Sequence, residues 1–114
     1  MLESSFRLKK KEIVQLFKKG RIFRYDSFFF RIAFNQVSHS RLAIIIPKKV
    51  SAKATVRNRL KRKVMIALSS QDKIKDKNID LAIFFKEIPA EKEIESLLKA
   101  AITKALGEKW NLLP

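Results

Sequence analysis

The sequence predicts an α+β fold in which helices pack on one mostly antiparallel sheet. Two kinds of apolar spacing carry this prediction: alternation indicates strands, and spacing of three or four residues indicates helices. The segments follow in the order helix, two or three strands, helix, strand, helix. The chain has 114 residues, of which 46% are hydrophobic, so we expect a single domain spanning 1–114 with a real core.

The first part of the chain predicts a helix at 9–19 followed by strands at 21–24 and 27–34. Ile13, Leu16 and Phe17 share one face of the helix, and Gly20 stands where a C′ glycine commonly ends a helix. In the longer strand one set of alternate residues is expected to face the core, and the other face is mixed and either solvated or functional. The core set is Phe28, Phe30, Ile32 and Phe34, and the mixed set is Phe29, Arg31 and Ala33.

The middle of the chain predicts a strand and then a long helix. A polar loop of hairpin length at 35–40 leads to a β-branched strand at 41–47, whose composition suggests burial on both faces. Pro47 ends that strand because proline donates no hydrogen bond to a sheet. Ser51 is the expected N-cap of a helix from 52 to about 70, and a polar connection follows at 71–77.

The last part predicts a strand at 78–85 and a helix at 91–106. Ile79, Leu81, Ile83 and Phe85 alternate along the strand. The helix begins with acidic residues, which suits the helix dipole, and Gly107 ends it. Its expected apolar stripe is Ile94, Leu97, Leu98, Ala101, Ile102, Ala105 and Leu106.

Positive charge is concentrated in one part of the chain. Lys and Arg number 26 against 11 Asp and Glu, for a formal net charge of +15. Residues 1–63 carry the whole excess, and residues 64–114 are neutral. Such asymmetry indicates a polyanionic partner, and nucleic acid fits better than a membrane because the apolar residues near the charges are needed for a core.

Composition excludes several kinds of site. The chain has no Cys, one His and two Gly, so no thiolate metal site, two-His metal site or glycine-rich phosphate loop can be assembled. His39 is expected to be an ordinary loop residue. The beginning of the sequence lacks an apolar signal segment, so we expect a cytoplasmic protein that does not bind membranes.

The most informative segment is the predicted helix that begins after Ser51. At 100° per residue, Val56, Leu60, Val64 and Ala67 form an apolar stripe, with Leu68 at its margin. The remaining surface is basic, and no acidic residue occurs between Lys48 and Ser70. Such a basic ridge along a helix suits phosphates, since an Arg guanidinium can donate two hydrogen bonds to one phosphate and each contact releases counterions.

This segment also resembles a known family. Arg57-Asn58-Arg59-Leu60-Lys61-Arg62, preceded by Lys48-Lys49-Val50 and Ala54, resembles the signature helix of bacterial ribonuclease P protein components. Segments 7–10, 17–20, 41–44 and 80–83 fall in the order and spacing of that family. The chain departs from the family pattern at Ile13, Arg31, Met65 and Leu68.

The resemblance implies a fold of order α-β-β-β-α-β-α with a left-handed βαβ crossover around the signature helix. It implies binding to the ribonuclease P catalytic RNA and to the single-stranded 5′ leader of precursor tRNA. The RNA would perform the Mg²⁺-dependent hydrolysis that removes the leader. The protein is then expected to have no catalytic residue, no tightly bound metal or cofactor, and no obligate protein partner.

The resemblance also implies two sets of site residues. The catalytic RNA would contact Lys48, Lys49, Arg57, Asn58, Arg59, Lys61 and Arg62. The leader would lie in a cleft between the first helix and the sheet, against Phe17, Phe29 and Arg31. Aromatic stacking in a basic groove is how single strands are commonly held. Core packing explains Phe17 equally well and is the favoured interpretation of Phe29.

Two alternative functions differ from this one in the sites that they need. A general basic RNA-binding module, of ribosomal or assembly type, would share the charge asymmetry but need no leader site. A standalone nuclease is disfavoured because the basic half holds only Glu3, Glu12 and Asp26 as acids, too few for a two-metal or His-based site.

Overall fold

A computed structural model describes residues 7–37, 39–71, 74 and 78–106 and confirms the α+β prediction and the order α-β-β-β-α-β-α. A single 3-10 turn, Glu91–Glu93, leads into the last helix. The elements are α1 (Lys10–Lys19), β1 (Arg21–Arg24), β2 (Phe28–Phe34), β3 (Arg41–Ile45), α2 (Ala54–Ser69), β4 (Ile79–Phe85) and α3 (Ile94–Leu106).

The four strands form one sheet in the order β1-β2-β4-β3. The pairs β1–β2 and β2–β4 are antiparallel, whereas β3 and β4 are parallel and are joined through α2. The mostly antiparallel sheet and the crossover are therefore confirmed, and the left hand of the crossover stays a prediction. The loop at 35–40 does not close a hairpin: β4, whose residues are nearly all buried, takes the central position between β2 and β3.

The main core lies on the face of the sheet covered by α2 and α3. Phe28, Phe30 and Ile32 of β2 are buried there beside the predicted face of β4. Burial of each such side chain contributes about 1.5–3 kcal/mol to folding. Two expected core residues are not buried: Phe34, at the end of β2, is 36% exposed, and Leu97 of α3 is 39% exposed.

The opposite face of the sheet is covered by α1. Leu8 and Leu16 pack there on Ala43 and Ala82, with Ile13, Ala33 and Phe84 at the margin. The alanines leave space for the helix to approach the sheet. Because α1 is a short helix, the aromatic residues beside its carboxyl end remain accessible.

Several predicted boundaries are wrong for local reasons. The N-cap of α2 is Lys53, not Ser51, so the helix begins at Ala54. Gly20 ends α1 in an extended conformation, with φ −73°, rather than a left-handed one. Its lack of a side chain is nevertheless required, because a Cβ would lie 2.6 Å from the Leu16 carbonyl oxygen.

The strand predicted at 41–47 ends at Ile45 and is an edge strand, with Ile44 and Ile45 only half-buried. The expected burial of both its faces is therefore only partly met. The end of α3 at Gly107 and the side chain of Leu106 lie outside the described residues. Of the connection at 71–77, the structure describes only Gln71 and Ile74.

Candidate nucleic-acid interface

The basic ridge follows from how α2 packs. Leu60, Val64, Ala67 and Leu68 are buried against the core, so the intervening polar residues must face outward. This confirms the predicted apolar stripe, with Val56 half-buried at its beginning. We define the basic ridge as the seven predicted RNA-contacting residues. Of these, Lys48, Lys49, Asn58, Arg59 and Arg62 are exposed, and Arg57 and Lys61 are half-buried.

One hydrogen bond ties the loop before α2 to the helix itself. Arg57 Nη1 donates to the Ser51 carbonyl oxygen at 2.7 Å. The turn that carries Lys48 and Lys49 is closed by the Val50 N–H, which donates to the Pro47 carbonyl at 3.0 Å. These contacts bring the two lysines to the amino end of α2, so the ridge is one surface rather than two.

The amino end of α2 favours an anion. Its N-cap residue, Lys53, makes no side-chain capping hydrogen bond, and the first turn contains no acidic residue. Free N–H groups and the positive end of the helix dipole therefore lie beside positively charged side chains. A phosphate bound at the amino end of α2 would be stabilised by the helix end and by these side chains.

An aromatic platform lies where α1 meets the other face of the sheet. The Phe84 ring stacks on Phe17 at a centroid distance of 5.1 Å and on Phe29 at 4.9 Å. Phe17 is 40% exposed, and Phe29 and Phe84 are half-buried. We call Phe17, Phe29, Phe84 and Arg31 the aromatic platform. Its rings pack on one another yet stay partly accessible, so packing and ligand stacking are compatible here.

Arg31 fastens the platform to α1. Its Nη1 donates to the Phe17 carbonyl oxygen at 3.1 Å, and its guanidinium carbon lies 5.2 Å from the centroid of the Phe17 ring. Its Nε is buried and has no hydrogen-bond partner within the described part of the chain. The cation thus holds the carboxyl end of α1 over the sheet.

A second ionic cluster holds the amino end of α1. Arg41 of β3 donates from Nε and Nη2 to the two carboxylate oxygens of Asp80, both at 2.8 Å, and from Nη1 to Glu12 of α1. Asn35 Nδ2 also donates to Asp80, at 2.7 Å. The hydrogen bond to Asp80 raises the pKa of Arg41 above its usual value, so this residue stays charged.

A groove opens along the outer side of β3, between α1 and α2. Its volume is about 660 Å³. We call it the edge groove; its lining includes Ile13 of α1, Ile44 and Ile45 of β3, and Met65 and Ile66 of α2. Asn58, Lys61 and Arg62 belong to both the edge groove and the basic ridge. No pattern in the sequence predicted this groove.

The structure therefore places the predicted site residues on two surfaces. The basic ridge lies on α2 and the turn before it, and Phe17, Phe29 and Arg31 meet at the platform. Phe84, which completes the platform, was missed by sequence reasoning. Its signal was its place on the second face of the strand at 78–85, in the alternate set with Asp80 and Ala82.

The described residues offer neither a metal-binding cluster nor a helix that could cross a membrane. Across residues 7–37, 39–71, 74 and 78–106, no group of three or more imidazole and carboxylate side chains could hold a metal ion. None of the helices in these ranges has the length and hydropathy needed to cross a bilayer. The carbonyl of His39 accepts a hydrogen bond from Asn35 Nδ2 at 3.1 Å within the loop.

Sequence comparison finds one family and a curated relative. The family model for Ribonuclease P matches residues 2–109. The ribonuclease P protein component of Synechocystis sp. (strain ATCC 27184 / PCC 6803 / Kazusa) is 38% identical over 70 residues, which are 60% of this chain and 56% of that protein. The matched segment thus spans little more than half the length of that relative.

Structural comparison finds the same fold. A mutant of the Staphylococcus aureus RNase P protein superposes with a TM-score of 0.79 at 23% identity, covering 90% of each chain. The RNase P protein from Thermotoga maritima superposes with a TM-score of 0.61 at 26% identity, covering 94% of each chain. The arrangement of helices and strands described above is therefore one that these proteins share.

Proposed function

We propose, from the premise that this chain belongs to the ribonuclease P protein family, that it is the protein subunit of a ribonuclease P holoenzyme. In this role it binds the catalytic RNA and the 5′ leader of precursor tRNA, and it assists removal of the leader. The observation that carries the proposal is the helix α2, which buries one apolar stripe and exposes several cations without a single acidic residue.

The basic ridge is the surface for the catalytic RNA. Its arginines have planar guanidinium groups that can each donate two hydrogen bonds to a phosphate, and its lysines add point charges. The arginines are Arg57, Arg59 and Arg62. Each contact displaces counterions from the RNA, so affinity should fall steeply with salt. Asn58 contributes a neutral group that both donates and accepts hydrogen bonds.

The aromatic platform is the surface for the leader. A single strand has unstacked bases, and stacking on a protein ring contributes about 1–3 kcal/mol per base with little dependence on sequence. Phe17 is the most exposed of the three rings, and Arg31 adds positive charge beside it. Precursor tRNAs differ in leader sequence, so a platform without base-specific contacts suits this substrate.

The chemistry is assigned to the RNA. When bound there, Mg²⁺ would activate the attacking water and stabilise the leaving oxygen. The described residues contain no cluster of acidic or imidazole groups able to hold the ion themselves. The protein's contribution is to neutralise phosphates and to hold the leader, which raises affinity without a catalytic side chain.

The test is cleavage of a precursor tRNA by ribonuclease P RNA at low Mg²⁺, with and without this protein. We expect the protein to raise the rate, and the increase to disappear when the leader is shortened to one or two nucleotides. A substrate of the same tRNA body with a full leader serves as the control. If the rate does not rise and the protein binds many RNAs alike, the chain is a general basic RNA-binding module.

A further inference from the structure

One row of side chains crosses the whole sheet through the aromatic platform. In the pairing of the strands, Phe29 of β2 is opposite Phe84 of β4, and Phe84 is beside Ile45 of β3. On its other side Phe29 is opposite Arg24 of β1. Paired residues point to the same face, with Cβ atoms about 4.5–5.5 Å apart, so the row is continuous between the two edges of the sheet. We call these four residues the cross-strand row.

The next row on the same face is covered by α1. Its two alanines, Ala43 and Ala82, pack with Leu16 of the helix. Arg31 belongs to this row as well, and it donates to the carbonyl oxygen of Phe17. A ligand on this face of the sheet therefore follows the cross-strand row, whose rings are only half-buried, and not the row beneath the helix.

Arg24 is the exposed end of the cross-strand row. It lies on β1, an edge strand, and its side chain is exposed beside the half-buried Phe29. It forms no ion pair with another residue in the part of the chain that the structure describes. Proteins hold single strands by placing cations for the phosphates next to rings for the bases. Arg24 and Phe29 provide this combination at the β1 edge.

The two ends of the row differ in their surroundings. Ile45 lines the edge groove, which shares Lys61 and Arg62 with the basic ridge. With the catalytic RNA on that ridge, the cleavage site lies on the β3 side, so a leader that crosses the platform leaves it on the β1 side. Three strand spacings of about 4.8 Å place the ends of the row roughly 14 Å apart. The leader therefore meets the rings first and Arg24 last.

We propose that Arg24 binds a backbone phosphate of the leader, upstream of the nucleotides that stack on the aromatic platform. The leader site then extends across the sheet to its far edge. This inference rests on the proposed function and deepens it, because it adds a cation on β1 to the residues that the family resemblance assigns to the leader. Its consequence is that the contribution of Arg24 depends on leader length.

Arg21 provides a matched control on the same strand. It is also exposed, but it faces the other side of the sheet, where its guanidinium carbon lies 5.7 Å from the centroid of the Phe23 ring. Phe23 in turn stacks on Phe30 of the main core at 5.3 Å. Arginines on an edge strand also discourage pairing with another chain, and both residues serve that purpose. A difference between Arg24→Gln and Arg21→Gln therefore reports the face of the strand.

The first test measures the affinity of the assembled holoenzyme for precursor tRNAs whose leaders grow by one nucleotide at a time. We expect Arg24→Gln to match the wild type with short leaders and to bind about fivefold more weakly with long ones, as for one exposed ionic contact. The salt slope for long leaders should fall by about one. Phe17→Ala should weaken binding already at shorter leaders, because the rings are reached first. Arg21→Gln should follow the wild type at every length.

Two results would overturn the proposal. One is a loss in Arg24→Gln that is the same at every leader length, and the other is an equal loss in Arg21→Gln. Either would mean that the charge acts only through the general field of a basic protein. Failure of the proposed function is a separate result: the affinity of the wild-type holoenzyme would then not depend on the leader at all.

The second test locates the contact by crosslinking. The chain has no cysteine, so Arg24→Cys, Arg21→Cys and Phe17→Cys each accept a photoactivatable aryl azide at a single place. In the holoenzyme with a long-leader precursor tRNA, the probe at position 24 should react with leader nucleotides farther from the cleavage site than those reached from position 17. The probe at position 21 should react less with the leader. Crosslinks from position 24 only to the catalytic RNA or to the tRNA body would overturn the proposal.

Discussion

Among single residues, Phe84 determines what the aromatic platform can do. It lies between Phe17 and Phe29 and stacks on both rings, so it joins them into one aromatic cluster. Aromatic pairs of this kind contribute about 0.5–1.5 kcal/mol beyond the area they bury. Phe84 therefore serves both the packing of α1 on the sheet and the accessible surface of the platform.

Replacement of Phe84 should separate these two roles. Phe84→Leu keeps most of the apolar volume and removes the π face, so we expect weaker binding of precursor tRNA by about 1–3 kcal/mol with a small change in stability. Binding of mature tRNA, which lacks the leader, should not change. Affinities of both tRNAs for the assembled holoenzyme provide the measurement.

The control for this prediction is Phe85→Leu, the neighbouring ring on the core side of β4. Phe85 is 2% exposed, so its replacement should lower stability and leave the leader-dependent difference in affinity intact. Equal weakening for precursor and mature tRNA in Phe84→Leu would show that the ring serves only to pack α1.

Sequence reasoning reached most of the platform but not its central ring. Phe17 was predicted because it occupies an aromatic position of the family that the chain resembles. Phe29 and Arg31 were predicted because they lie on the mixed face of a strand. Phe84 was not, because its place in the alternate set with Asp80 and Ala82 marks a second face of the strand but does not show that this face is accessible. Only the placement of α1, which leaves part of that face open, makes the distinction.

At the scale of elements, the position of α1 depends on two attachments made by arginines. Glu12 accepts the Lys9 backbone N–H at 2.7 Å and also pairs with Arg41, so one carboxylate both caps the helix and fixes it to β3. Arg31 holds the other end through the Phe17 carbonyl. The orientation of the platform therefore depends in part on Glu12 and Arg41, which lie outside it.

We expect Glu12→Gln to loosen α1 without unfolding the sheet. The amide oxygen can still accept from Lys9, but the ion pair with Arg41 is lost, at a cost of about 1 kcal/mol. Hydrogen exchange should become faster for the amides of α1 and stay unchanged for β2 and β4. Glu95→Gln, an exposed acid at the beginning of α3, is the matched control. Equal protection of α1 in both variants would contradict this account.

The beginning of α2 lacks a capping side chain. Lys53 occupies an N-cap position that usually holds Ser, Thr, Asp or Asn. Lys53→Ser should stabilise the free protein by about 1 kcal/mol and raise its melting temperature by about 4 °C. The same change should lower the salt slope of RNA binding by about one, because a cation near the phosphates is removed.

Lys53→Ala separates the two effects. It removes the charge but supplies no capping oxygen, so it should lower the salt slope equally without the gain from a capping hydrogen bond. Thermal melting and RNA titrations of both variants provide the measurement. A melting temperature for Lys53→Ser no higher than that of Lys53→Ala would mean that the serine does not cap α2.

Element types were predictable from the sequence, but the order of strands in the sheet was not. The alternation of apolar residues in 27–34 and 78–85 is a local pattern, and so is the apolar stripe of α2. The structure confirms both patterns. The position of β4 between β2 and β3 is decided by contacts between residues far apart in the chain. The start of α2 was misjudged for a local reason: Ser51 was the better cap by residue type, but its carbonyl accepts from Arg57 and the helix begins at Ala54.

At the scale of the whole molecule, the fold separates charge from core. The excess positive charge of residues 1–63 is carried by α1, β1 to β3, the first part of α2 and the segments beside these elements, whereas β4 and α3 belong to the neutral part of the chain. The central strand is thus uncharged except for Asp80, which Arg41 neutralises. Most of the cations lie on helices, edge strands and connecting segments, where they face solvent or a polyanion but also repel one another.

This repulsion gives the free protein a characteristic dependence on salt. Added NaCl screens like charges on the surface, where the Debye length falls from roughly 20 Å to about 7 Å between about 20 and 200 mM salt. It also weakens the pairs of Arg41 with Glu12 and Asp80, but these are partly buried and less screened. With a net charge of +15, relief of repulsion should dominate, and the melting temperature should rise by several degrees. Thermal melts across this range provide the measurement, with a neutral osmolyte as the control. A melting temperature that falls with salt would mean that the ion pairs outweigh the repulsion. RNA would then not be needed to relieve the repulsion.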